Sequence, residues 1–213
     1  MRIIKLIPFL IFISHSAYSK DFYAGIDYQT SIADYSSDTI TLSSGESFAI
    51  EYEDYYEDSF DNFSLFAGFN IEDKYSIEVS YFEQEESKVN NNTGLVWISD
   101  GANFVTQGDV EYKFISLEGM KNFNYSDYNI TLSPLVGISH IKADIAAYYI
   151  GNGNTRSSET KTEKGTAFNF GFQAKYDLAN NFFVRAKFRY SFAQDIESLD
   201  NIASFNLGVG YSF

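Results

Sequence analysis

Residues Ala167 to Leu178 read A-F-N-F-G-F-Q-A-K-Y-D-L. Phe168, Phe170, Phe172, Ala174, Tyr176 and Leu178 share one parity. Asn169, Gly171, Gln173, Lys175 and Asp177 share the other. Successive strand side chains point to opposite faces, so this stretch is a strand with one apolar and one polar side. It is also longer than the ~5–6 residues of an ordinary globular strand.

The same alternation recurs on either side. Val184, Ala186, Phe188, Tyr190 and Phe192 alternate with Arg185, Lys187, Arg189 and Ser191. Phe205, Leu207, Val209, Tyr211 and Phe213 alternate with Ser204, Asn206, Gly208, Gly210 and Ser212. Ala203 shares the parity of Phe205, which leaves Ile202 inside or in a loop. Phe22, Ala24, Ile26 and Tyr28 oppose Tyr23, Gly25, Asp27 and Gln29. Two further runs are equally regular, one around Phe63 to Ile71 and one from Tyr75 to Phe82. Two are less clean. In the first, Ile115, Leu117 and Gly119 oppose Ser116 and Glu118. In the second, Ile130, Leu132, Val136 and Ile138 oppose Thr131, Ser133, Gly137 and Ser139. Pro134 interrupts the latter, and proline removes a ladder donor.

Eight strands are thus expected, over 21–33, 62–71, 75–84, 109–122, 128–141, 166–178, 182–193 and 203–213. Connections alternate in length. Long ones span 34–61, 85–108 and 142–165, with a medium one over 194–202. Short ones span 72–74, 123–127 and 179–181. An even strand count, tight turns on one rim and long loops on the other predict an all-β, eight-stranded antiparallel transmembrane up-and-down β-barrel. A soluble lipocalin-like periplasmic barrel is the alternative, and it would turn its apolar face inward around a ligand. The apolar faces of the clearest strands carry no charge, as lipid demands: Arg or Lys costs ~2–4 kcal/mol at the bilayer midplane. Mean hydropathy is -0.22, as expected where only alternate residues face lipid.

The first nineteen residues read as a secretory signal peptide. Arg2 and Lys5 supply charge, Leu6 to Ile13 an apolar core, and Ala17-Tyr18-Ser19 a small-x-small site with cleavage before Lys20. The apolar run is far shorter than the ~20 residues of a spanning helix. The expected organisation is therefore 1–19 signal peptide and 20–213 barrel domain. The chain has 213 residues, no Cys and a net charge of -14, and becomes two charges more negative without Arg2 and Lys5. That balance excludes disulfides and thiolate metal sites. It argues against nucleic acid, whose phosphates require Lys and Arg, and against polybasic attachment to a membrane surface.

The opening F-Y-A-G-I-D-Y (Phe22 to Tyr28), the closing F-N-L-G-V-G-Y-S-F (Phe205 to Phe213) and the signal peptide resemble the small bacterial outer-membrane β-barrels of OmpA, OmpX and opacity-protein type. The resemblance covers the mature chain and implies the bacterial outer membrane, contact with its lipid, and no cofactor. It also implies that Phe213, a C-terminal Phe on an alternating strand, is an assembly signal read by the barrel-insertion machinery. It does not fix an activity, because this scaffold hosts structural proteins, adhesins and a few enzymes.

Two sets of residues are candidates for function. Arg185, Lys187 and Arg189 project inward from the seventh strand, toward Glu78 on the third and Glu118 on the fourth. They are read as an ion-pair network filling the lumen, since buried charges must be paired; the alternative is a narrow pore. The second set lies in the loops: Glu51, Tyr52, Glu53, Asp54, Tyr55, Tyr56 and Glu57 in the first, and Trp97 in a Leu95 to Thr106 hairpin in the second. Tyrosine joins apolar area to a hydroxyl and suits contact with a host or cell-surface protein. The acidic run also offers oxygen ligands for weak Ca²⁺ or Mg²⁺ binding, without an EF-hand spacing. The segment Gly151 to Gly165 reads as a mobile loop. A lipid-modifying hydrolase would have to use His140, but adjacent Ser139 points to the opposite face. The reading is a monomeric, non-enzymatic surface protein whose barrel anchors interacting loops.

Overall fold

A computed structural model of the chain describes residues 22–41, 47–51, 58–84, 95–99, 102–150, 156–196 and 198–213. Eight long strands form the wall: β1 (Phe22–Tyr35), β2 (Ser59–Ile71), β3 (Tyr75–Glu83), β4 (Ala102–Lys121), β5 (Ile130–Ile150), β6 (Arg156–Asp177), β7 (Phe182–Gln194) and β8 (Leu199–Ser212). Each pairs antiparallel with its neighbours in sequence. β1 also pairs with β8, from Tyr23↔Ser212 to Tyr35↔Leu199, and so closes the ring. Phe213 completes the seam: its N–H donates to the Phe22 carbonyl at 2.9 Å, and its ring packs 5.5 Å from that of Phe22.

Tight connections occupy the rim where Phe22 and Phe213 meet. Between β2 and β3, Glu72 and Asp73 both take positive φ, at 50° and 55°. Two successive positive φ values match the right-handed twist of a hairpin. Asn180 and Asn181 do the same between β6 and β7, at 61° and 65°, and asparagine tolerates that region well.

The outward faces through the middle of the wall are apolar. Phe170 is 47 % exposed, and Ile77, Val79, Leu117, Ile138, Phe188 and Leu207 share its outward orientation. This band is the surface offered to lipid.

The strands run further than expected on the loop side. β4, β5 and β6 have 20, 21 and 22 residues, about twice the ~9–11 needed to cross a bilayer. The segment expected as a third loop over 142–165, and read as mobile from Gly151, is instead mostly strand: Arg156 to Gly165 pairs residue by residue with Ile150 to Ile141. The reason is visible in the side chains. In the membrane, apolar residues point out and polar ones in. Beyond Ile115 on β4 and His140 on β5 the phase inverts. Lys113, Lys142 and Asp144 now face out, while Tyr112, Phe114, Ile141, Ala143 and Ile145 are buried inside. Water has replaced lipid as the outer solvent, so the wall there obeys the pattern of a soluble barrel. A search for one fixed phase ends each strand at the inversion.

The expected Leu95 to Thr106 hairpin is present. Leu95–Ser99 pairs with Ala102 to Thr106, the start of β4, from Leu95↔Thr106 to Ser99↔Ala102. In the first connection, Ser37–Thr41 and Ser47–Glu51 form a separate two-stranded sheet. Residues 1–21 and 52–57 lie outside the described residues, and with them the expected signal peptide and Tyr52 to Glu57.

Face assignment is directly testable. Phe170→Arg should block insertion and abolish the mobility difference between boiled and unboiled samples on SDS gels, whereas Phe170→Leu should retain it. Normal insertion of the Arg variant would refute the assignment.

Candidate functional site

The barrel interior is filled in layers, and its centre is a chain of six alternating charges. Asp27 on β1 receives Arg185 in a two-point contact, Nε to Oδ1 at 2.8 Å and Nη2 to Oδ2 at 2.6 Å. Nη1 of Arg185 donates to Glu78 Oε2 at 2.5 Å. Lys187 Nζ bridges Glu78 Oε1 at 2.7 Å and Glu118 Oε2 at 2.9 Å. Arg189 Nη1 ends the chain on Glu118 Oε1 at 3.3 Å. Three cations thus meet three carboxylates, and all six residues are buried.

The strand registers explain the arrangement. Arg185, Lys187 and Arg189 sit at every second position of β7 and stack along one inward face. Glu78 and Glu118 lie directly opposite each other on β3 and β4. Like charges in that relation repel, and the Lys187 ammonium between them offsets the repulsion. Gly208 separates Asp27 from Arg185 in the ladder. A Cβ there would collide with Asp27 Oδ1 and with the Ile26 carbonyl oxygen. Glycine is therefore required for the guanidinium to reach across β8.

Neighbouring groups bond several further polar atoms of the chain, and Arg189 Nε is left without a hydrogen-bond partner among the described residues. Tyr23 donates its hydroxyl to Glu78 Oε2 at 3.1 Å. The Arg185 guanidinium lies 3.2 Å from the Phe66 ring centroid, and Gln173 accepts from Nη1 at 3.1 Å. Toward the loop side comes a neutral polar layer. There Arg189 donates to Ser116 Oγ and Gln29 Oε1, and Ser31 bonds Ser204. Above that is an apolar plug that includes Phe60, Phe82, Tyr112, Phe114, Ile141 and Leu199. On the terminal side, Tyr23, Phe66 and Phe183 make a smaller aromatic layer.

The structure therefore brings together all five lumen residues singled out from the sequence and adds Asp27. The signal for Asp27 was present, as an acid on the polar parity of the first strand. The apolar plug was not foreseen, because its residues sit where the alternation has changed phase.

A family model described as an outer membrane protein beta-barrel domain matches residues 6–213. The chain belongs to that family. It is a bacterial outer-membrane β-barrel protein. The barrel is similar in fold to the attachment invasion locus protein Ail of Yersinia pestis, at TM-score 0.53 and 16 % identity over 92 % of this chain and 100 % of that one. It also resembles OprG of Pseudomonas aeruginosa, at TM-score 0.54 and 13 % identity over 91 % and 95 %. A major outer membrane protein of Thermus thermophilus aligns at TM-score 0.53 and 10 % identity over 89 % and 99 %. No curated protein matches the sequence.

The remaining candidates fall outside this centre. Ser139 and His140 occupy opposite faces of the outer-membrane barrel. The Ser139 hydroxyl is buried and bonded to Ser116 at 2.7 Å and to Asn169 at 2.7 Å, while His140 faces outward. That geometry does not pair a nucleophile with a base. Among the described residues no three His, Asp or Glu are grouped to hold a metal ion. The backbones of Glu51 and Trp97 lie in the short loop strands Ser47–Glu51 and Leu95–Ser99. Just beyond the lipid belt, an outward charged collar ties Lys113 to Glu111 at 3.0 Å and to Glu83 at 3.2 Å. Hydrogen bonding to Glu111, with Glu83 adding to it, holds the Lys113 ammonium above its usual pKa. Partial burial works against Asp144, but bonds from Lys142 and Thr162 keep its carboxyl below the usual range.

Removing one member of the charge chain leaves its partners buried and unpaired, at a cost of ~3–5 kcal/mol. Arg185→Met should therefore lower the urea midpoint of the vesicle-reconstituted barrel sharply. The neutral pair Glu78→Gln with Lys187→Met should lower it less. Equal midpoints for Arg185→Met and wild type would contradict a coupled network.

Proposed function

We propose that the protein is a non-conducting, non-enzymatic outer-membrane anchor that presents its projecting sheet and loops to another protein. The observation that carries this reading is the filled lumen. An ion crossing it would have to break the Asp27-to-Arg189 charge chain, then pass the apolar layer around Phe60, Tyr112 and Phe114. Eight-stranded barrels are just wide enough for side chains to fill, and here buried charged, neutral polar and apolar side chains occupy three successive levels.

Investment in structure lies instead on the loop side. β4, β5 and β6 continue well beyond the lipid-facing band, joined there by Leu95–Ser99. In this reading the segments over 35–61 and 85–108 carry the contact, with Glu51 to Glu57 and Trp97 as its polar and aromatic components. The barrel acts as a monomer, and Phe213, packed at the β1–β8 seam, is the terminus that the insertion machinery reads.

Purified protein in planar bilayers should give no discrete conductance steps, and steps that change in Glu78→Gln would overturn the non-conducting reading. Deleting Leu95 to Thr106 should leave the heat-dependent gel shift intact while removing adherence of expressing cells to a mammalian cell layer. Unchanged adherence would place the contact elsewhere.

A further inference from the structure

At the rim of tight turns, the periplasmic one in such barrels, the lumen opens into a cup of about 320 Å³. That lies at the lower end of the ~300–1,000 Å³ of small-molecule sites. Its walls are neutral and polar: Asn70 on β2, Ser76 on β3, Asn122 just after β4, Thr131 and Ser133 on β5, and Gln173 on β6. The charged lining residues are Asp73, Lys175 and Asp177. Lys175 is already paired with Asp177 at 3.0 Å, and its ammonium lies 5.3 Å from the Phe183 ring centroid. Asp73 has no ion-pair partner among the described residues. Two carboxylates thus face one ammonium, and an anion finds no free cation to hold it.

The wall groups orient one another. Pairing of β4 with β5 runs to Met120↔Leu135 and resumes at Phe123↔Leu132 in the same register. Pro134, between them, has no N–H to donate. Side chains lace that stretch. Ser133 Oγ donates to Asn122 Oδ1 at 2.8 Å, Asn122 Nδ2 to Ser76 Oγ at 2.7 Å, and Ser76 Oγ to Asn70 Oδ1 at 2.8 Å. Because the Asn70 oxygen is taken by Ser76, its Nδ2 is left to donate. Gln173 is oriented by charge. A guanidinium can only donate, so Gln173 Oε1 accepts from Arg185 Nη1 at 3.1 Å and Nε2 turns the other way. Gln173 is 5 % exposed, and its Nε2 has no partner among the described residues.

Amide donors at Gln173 and Asn70, hydroxyls at Ser76, Thr131 and Ser133, and an unpaired carboxylate at Asp73 therefore border one space. Groups that both donate and accept, and carry no charge, match that set. We propose that the cup binds a single uncharged sugar ring entering from the periplasm. Hydroxyl oxygens of the ring accept from Gln173 Nε2 and Asn70 Nδ2, and a hydroxyl donates to the Asp73 carboxylate. The apolar C–H face packs on Tyr125, an exposed lining side chain whose ring offers apolar area beside a hydroxyl. Tyr23 and Phe183 close the cup toward the charge chain, so it is a binding site and no passage.

The test is saturation-transfer difference NMR on the full barrel in lipid nanodiscs, free of glycosidic detergent, with glucose and N-acetylglucosamine as probes. Glucosamine and glucose 6-phosphate are the cationic and anionic comparisons. At least one neutral sugar should bind saturably, and glucose 6-phosphate should not. Asn70→Asp and Gln173→Glu each keep the oxygen that accepts from Ser76 or Arg185 and remove the amide donor. Either should weaken binding of the neutral sugar about tenfold, equivalent to ~1.4 kcal/mol, and shift preference toward glucosamine, with the heat-dependent gel shift reporting a folded barrel. Absence of saturable binding for both neutral sugars overturns the proposal. So does tighter binding of glucosamine than of N-acetylglucosamine to the wild-type barrel, which marks a cation site. Unchanged affinity in a folded Asn70→Asp barrel overturns it as well, whether or not Gln173→Glu folds.

Discussion

In hydrocarbon no water is available to hydrogen-bond a free N–H or C=O, and every spanning strand must find both edges satisfied by protein. Everything else in this molecule follows from that demand. It requires an even ring of antiparallel strands, closed here by β1 on β8 from Tyr23 to Tyr35 and sealed by the Phe213 N–H on Phe22. It also makes the lapse at Pro134 notable. The wall there relies on Ser133, Asn122, Ser76 and Asn70 side chains where backbone bonds are missing.

The second constraint is a change of solvent along each strand. Through the lipid band the outer face must be apolar, and the narrow interior takes the polar residues. Beyond Ile115 and His140 the outer face meets water, so the same strands turn Lys113, Lys142 and Asp144 outward and fold Tyr112, Phe114 and Ile141 inward. One continuous backbone thus serves two opposite burial rules. The inversion marks where the chain leaves the membrane and gives the projecting part a core of its own.

Within the lipid band sits the charge chain. Charges buried in an interior of low dielectric are costly to leave unmatched and need not add stability even when matched. What the alternation from Asp27 to Arg189 secures is geometry. Each carboxylate is held by a cation, each cation has named partners, and strands β1, β3, β4 and β7, far apart around the ring, are fixed relative to one another. Gly208 and Tyr23 belong to the same device, the first by its missing side chain and the second by its hydroxyl on Glu78.

By itself the sequence determined the architecture. Period-two alternation from Ala167 to Leu178 and in its counterparts set strand number, the faces offered to lipid and the alternation of short turns with long connections, because side-chain direction in a strand depends only on parity. It also placed Arg185, Lys187, Arg189, Glu78 and Glu118 on inward faces. Tertiary structure alone decided which charges meet, since contact across the ring depends on the register of strands distant in sequence. That is why Asp27 became the partner of Arg185, and why Lys187 became shared between Glu78 and Glu118. It alone also decided how far the strands run, because the height at which lipid gives way to water is a property of the folded ring in its membrane, and the alternation reverses its meaning at that height.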